Sequence, residues 1–192
     1  MPAQRVAVFG GTFDPVHNGH LHIAQIARNA LDLDLIVFVP CRQSPHKTSA
    51  AEASEEDRCE MLACALADYP WATVSRIEID QAPPSFSWCT AEAMREIFPE
   101  AQLFWLMGSD QWKVIDLWSR PEHFAELVEI IVFQRGKQPA VHPRFSAHFI
   151  QGAHPAVASE IRATAREGLR SDWLPPKVEQ FILSNGLYGC GA

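Results

Sequence analysis

Residues Val6–His22 read VAVFGGTFDPVHNGHLH. Val6–Phe9 is a short apolar run bounded by glycine, the pattern of a buried strand. Gly10 and Gly11 lack a Cβ and predict a sharp turn with backbone lying directly against a ligand. Asp14-Pro15 is a turn signal. His17 and His20 fall where an amphipathic helix starts, with Leu21, Ala24, Ile26, Ala27, Ala30 and Leu31 on one broad face. Two imidazoles, two glycines and a helix N-terminus therefore meet at the carboxyl end of the first strand. Free N–H groups and the positive end of the helix dipole favour a phosphate there, and the imidazoles could add charge-assisted hydrogen bonds to its oxygens. Each part has an ordinary alternative, since a Gly-Gly turn needs no ligand and a histidine at a helix start can be a cap. His17, His20 and His22 also raise zinc, but no Cys or acidic ligand stands at a usual metal spacing beside them, so no metal-ligand set is expected.

The same alternation continues outward. Leu35–Val39, Leu103–Met107 and Val128–Phe133 are further continuous apolar strands, and His148–Ile150 is a short last one. Trp71–Ile79 contains strand material, with Val74, Ile77 and Ile79 as core residues. Between them lie a helix opened by a Ser54–Asp57 capping box and running through about Ala67, and a second helix, Thr90–Phe98, stopped before Pro99. Alternating strands and helices imply a parallel, doubly wound α/β sheet. The chain shows no internal repeat, linker or low-complexity tract, and 192 residues suit one domain with a sizeable core.

Hydrophobic residues at 47% and charged residues at 20% are a globular balance. A net charge of −7 argues against broad binding to nucleic acid or an anionic membrane, which needs a basic face. No apolar run approaches a membrane span, and no signal peptide is visible. Cys41, Cys59, Cys64, Cys89 and Cys190 show no C-x-x-C pairing, so reduced thiols in a cytoplasm are expected, with Cys59 and Cys64 packing as small hydrophobes. A dehydrogenase is disfavoured because the first strand leads into GGTFDP rather than G-x-G-x-x-G.

Several later positions suit a polyanionic nucleotide. Lys47 sits on a polar loop, Cys41–Ser49, at a strand's carboxyl end, where anionic groups are met, although a solvated loop reads the same way. Gly108-Ser109-Asp110 follows a buried strand, where the glycine clears space and the carboxylate accepts from ribose hydroxyls. Trp112 and Trp118 follow; a tryptophan near a ligand loop can stack on a flat ring, although core packing is its commoner fate. Ser159 reads as an N-cap, with Arg162 one turn on; the pair suits either a second phosphate gripped bidentately or an ordinary capped helix with a surface arginine.

GGTFDPVHNGHL resembles the signature of the HxGH nucleotidyltransferases, here His17-Asn18-Gly19-His20. The version with Thr-Phe-Asp-Pro is especially similar to the nicotinate mononucleotide adenylyltransferases. Val39-Pro40 with Pro45-His46-Lys47, Gly108-x-Asp110, Ile161-Arg162 and the closing Leu174-Pro175 and Leu187-Tyr188 carry the likeness along nearly the whole chain. The resemblance implies a Rossmann-like nucleotidyltransferase fold in a single domain, 1–192, with C-terminal helices over 159–188 packed on it. It also implies that ATP and nicotinate mononucleotide give nicotinate adenine dinucleotide and pyrophosphate, with Mg²⁺ travelling with ATP.

By the same resemblance His17, His20 and Arg162 are the catalytic residues. Gly10, Gly11, Thr12 and Phe13 cradle the ATP phosphates, and Gly108, Asp110, Ser159 and Ile161 complete the ATP site. Lys47, Asp110, the Ser85-Phe86-Ser87 loop and Trp118 hold the acceptor, Trp118 by stacking on the pyridine. Two departures stand out. Phe86 and Ser87 replace the tyrosine and threonine of a Ser-Tyr-Thr element, and Val157 and Ala158 replace hydroxyl residues in Ile-Ser-Ser-Thr-x-Ile-Arg. A related transferase using nicotinamide mononucleotide or phosphopantetheine, and a non-catalytic nucleotide-binding protein, are the competing readings. A homo-oligomer is left open.

Overall fold

The computed structural model describes residues 4–42, 50–82, 84–134, 136 and 141–190. Lys47 lies outside them, with Pro45 and His46. The strands are β1 (Arg5–Gly11), β2 (Leu35–Pro40), β3 (Ala72–Val74), β4 (Gln102–Gly108), β5 (Glu129–Gln134) and β6 (Ala147–Gln151). Every pairing is parallel, in the order β3-β2-β1-β4-β5-β6. The chain thus starts in the middle, builds one half outward, then returns to build the other. The reversal falls between β1 and β4, and such a switch point opens a crevice at the carboxyl ends of those two strands.

Successive strand residues feed opposite faces. Ala7, Phe9, Ile36, Phe38, Phe104 and Leu106 join one core with the inward faces of α1 (Asn18–Ala30), α2 (Glu55–Leu66), α7 (Ala158–Thr164) and α8 (Pro176–Ser184). Val6, Val8, Val37, Leu103, Trp105 and Met107 join the other, covered by α4 (Ser87–Ile97), α5 (Ser109–Trp112) and α6 (Pro121–Leu127). Each fully buried Leu, Ile or Phe contributes about 1.5–3 kcal/mol. An exposed pair such as Lys177–Asp68, at 2.8 Å, contributes about 0–1 kcal/mol, so burial holds the layers together.

Three local readings change. Gly10 and Gly11 do not make the turn. Both remain inside β1, and the left-handed backbone falls on Phe13 at φ 51°. The glycines are needed for close approach instead: a Cβ on Gly11 would stand 2.9 Å from the Phe13 ring, and one on Gly10 3.3 Å from the Trp105 indole. Strand β3 ends at Val74, and Ile77–Asp80 forms one helical turn, α3. Ser75 Oγ accepts the Ile77 N–H at 3.4 Å, and Arg76 grips Glu56 of α2 through both terminal nitrogens at 2.7 Å, which draws the chain off the sheet. Finally, α7 starts one residue before Ser159: Val157 is its N-cap, and no side chain caps it. The Ser54 cap is as expected, its Oγ accepting the Asp57 N–H at 3.1 Å.

Candidate active site

The carboxyl end of β1 leads straight into the start of α1. His17 is the N-cap, and its Nδ1 accepts the Gly19 N–H at 3.1 Å. His20 reaches back, its Nδ1 accepting the His17 N–H at 3.3 Å. This is a capping box built from two imidazoles. It also sets their protonation: an Nδ1 that accepts carries no hydrogen, so the ring proton sits on Nε2. In this tautomer each ring carries its N–H at Nε2, the nitrogen not used by the cap. They stack at 3.8 Å between centroids, and the edge of His20 meets Phe13 at 5.0 Å. His17 is buried behind, and His20 is the half-exposed member.

A second set of groups fixes the loop from below. The Asp14 carboxylate is 5% exposed and accepts the N–H of Glu52 at 2.8 Å, the N–H of Ala53 at 3.1 Å and the Tyr188 hydroxyl at 2.8 Å. Burial first, then the Asp14 charge, pushes the Tyr188 phenol well above its ordinary range, so it stays a donor. Arg162, on α7, donates from Nη1 to the Asp14 carbonyl at 2.7 Å and from Nε to Glu52 Oε1 at 2.6 Å. These contacts leave further N–H donors on its terminal nitrogens.

Thr12, Phe13, His20, Ala158 and Arg162 line one cavity of about 140 Å³, closed by Asp14, Ala50 and Ala51. Two of the three expected catalytic side chains therefore share a cleft, and the third, His17, stacks on one of them. Gly10 and Gly11 lie just beneath, in β1. Ala158, where the family pattern has a hydroxyl, presents only a methyl. Ser159 is exposed beside it, while Ile161 is fully buried in the core, so its side chain packs rather than faces the cleft.

Of the other expected residues that the structure describes, Gly108 and Asp110 stand at the end of β4, Ser85, Phe86 and Ser87 at the start of α4, and Trp118 just before α6. Gly108 closes β4 next to β1 and caps α5, and Asp110 is exposed, 3.5 Å from Lys113. Phe86 is the N-cap of α4, so Ser85, Phe86 and Ser87 form the entry to that helix. Trp118 is 8% exposed and leans on Phe124 at 5.3 Å. Arg120 lies 4.4 Å over the Trp88 ring, tying the Trp118 turn to the Ser85–Ser87 entry.

Glu78 was not singled out from sequence. It is buried beneath this entry and receives the Thr90 hydroxyl at 2.7 Å. Burial raises its pKa, and the Thr90 hydrogen bond partly opposes the rise. Asp14 and Tyr188 were missed as a pair because nothing local marks partners 174 residues apart.

Fold and cleft together define an α/β nucleotide-binding domain with hydrogen-bond donors converging at its topological switch point. The chain belongs to the cytidylyltransferase-like family, whose pattern it matches over residues 8–167. It is similar to a probable nicotinate-nucleotide adenylyltransferase of Thermus thermophilus, 35% identical over 186 residues that cover 96% of this chain and 99% of that one. It is likewise 35% identical to the probable nicotinate-nucleotide adenylyltransferase of Neisseria meningitidis serogroup C, over 96% of this chain and 98% of that one. In fold it matches Plasmodium falciparum nicotinic acid mononucleotide adenylyltransferase complexed with NaAD, with TM-score 0.79 at 18% identity over 96% and 97% of the two chains.

Proposed function

We propose that this chain joins ATP and nicotinate mononucleotide to give nicotinate adenine dinucleotide and pyrophosphate. The observation that carries the reading is the convergence of His20 and Arg162, distant in sequence, on one cavity above the carboxyl end of β1. Curated relatives named for this activity match the chain over nearly its full length.

The acceptor's phosphate oxygen is already an anion and needs no strong base. It attacks the α-phosphorus of ATP. The new P–O bond forms as the bond to the bridging oxygen breaks, and the electron pair leaves with pyrophosphate. The protein's task is to align two polyanions and offset the charge that grows on the α-phosphate and leaving group. His20, supported by His17, donates from Nε2 to the ATP phosphates, and Arg162 holds the leaving pyrophosphate with its remaining N–H donors. Asp14 accepts three hydrogen bonds that hold the loop in place. Mg²⁺ would enter with ATP, held mostly by phosphates and water. Asp110 and Gly108 serve ribose, Ser85-Phe86-Ser87 and Lys47 serve the acceptor, and Trp118 stacks on the pyridine.

Among the described residues no helix is long and apolar enough to cross a membrane. No disulfide links the five cysteines, in keeping with a reducing cytoplasm. The test is one assay: ATP and Mg²⁺ with nicotinate mononucleotide, nicotinamide mononucleotide or phosphopantetheine, following pyrophosphate and the adenylylated product. Nicotinate mononucleotide should be the fastest acceptor. No turnover with any of the three, or a preference for phosphopantetheine, would refute the assignment.

A further inference from the structure

Arg58, in the first turns of α2, is 1% exposed. A guanidinium taken so far from water is costly unless a carboxylate pairs with it. The described residues include every Asp and Glu of the chain, and none of them forms an ion pair with Arg58. Its partners are two backbone carbonyls, those of Thr12 and Cys41, both reached by Nη1 at 2.8 Å. Its Nε has no hydrogen-bond partner among the described residues. A salt-bridge role is thereby excluded, and a buried aliphatic side chain would suit packing better.

The position of those carbonyls is informative. Thr12 lines the cavity with His20 and Arg162, and Cys41 follows directly on β2, the strand beside β1. Carbonyl oxygens are the negative ends of peptide dipoles. At the carboxyl edge of a parallel sheet they would repel a triphosphate. One buried cation draws both toward itself and places a positive charge one residue behind the cavity wall.

We propose that Arg58 is a positioning residue of the nucleotide site: it holds the Thr12 and Cys41 carbonyls inward and supplies a fixed charge that strengthens binding of the ATP phosphates. This rests on the reading of the cavity as a phosphate site.

The experiment compares wild type with R58K, R58Q and R58M in ATP affinity by calorimetry, in steady-state kinetics and in thermal unfolding. The neutral R58Q and R58M should weaken ATP binding by about tenfold or more, as loss of a charge-assisted contact does. R58K, which keeps the charge, should stay within about threefold of wild type. The separation of Lys from Gln should persist when the variants are compared at equal fractions folded. It should also shrink in high salt less than an exposed charge would, because the group is buried. Equal ATP affinity in R58Q and wild type, or R58K as weak as R58Q, overturns the proposal. R58K and R58Q keep the test decisive if R58M does not fold. Should wild type bind ATP but turn over no acceptor, the adenylyltransferase reading fails, and the affinity ratio still decides the role of Arg58.

Discussion

In the proposed reaction His20 is the side chain on which the chemistry depends most directly. Replacing it with alanine should lower kcat by about 10²–10³-fold, the usual cost of losing one donor to a developing charge. The melting temperature should move little, because its half of the cap is a long bond, 3.3 Å, at a half-exposed position. H17A should behave differently. It removes the helix N-cap, worth about 1 kcal/mol, so it should lower both stability and turnover. Parallel unfolding and pyrophosphate-release curves separate the two. A158S gives the opposite sign: a hydroxyl at the cavity wall should lower the KM for ATP by about 2–10-fold, the worth of one added hydrogen bond. Both histidines and Arg162 were legible because a local signature spells them out. Their protonation was not, since it depends on which backbone N–H each Nδ1 accepts, and only the folded loop shows that.

The strands were equally legible, because VAVF, LIVFV and LFWLM can only be buried on both faces. The connections were less so. The turn that places the site belongs to Phe13, not to the glycines, and it is held by Asp14. D14N should cost about 1–3 kcal/mol, because it sets an amide against two N–H donors that lose a charged acceptor. Denaturant unfolding measures it. G11A should also destabilise, by about 1–3 kcal/mol, since its methyl meets the Phe13 ring. At the acceptor side, Glu78 supports the entry to α4. Its folded pKa lies above the unfolded value because burial outweighs the Thr90 hydrogen bond. A raised pKa means the folded state binds the proton more tightly. The stability this provides is full below the ordinary carboxylate range and fades as pH rises through the folded pKa. The stability of wild type relative to E78Q should therefore fall as pH rises across that window, and a flat difference would remove Glu78 from the explanation.

The molecule as a whole works by bringing the two ends of the chain onto one edge of the sheet. Tyr188 reaches Asp14 across 174 residues, and Arg162 reaches the same residue across 148. No sequence pattern announces such pairs; they follow from the order β3-β2-β1-β4-β5-β6, which puts the first strand in the centre. A chain shortened to end before Leu187 should therefore lose activity as well as stability, although the lost residues stand behind the cavity and not in it. The most direct measurement is a crystal structure with a non-hydrolysable ATP analogue. The triphosphate should occupy the cavity of Thr12, Phe13, Ala158 and Arg162, with His20 Nε2 and the Arg162 guanidinium both hydrogen-bonded to its oxygens. A nucleotide lodged elsewhere, or a triphosphate that meets neither side chain, would contradict the central claim.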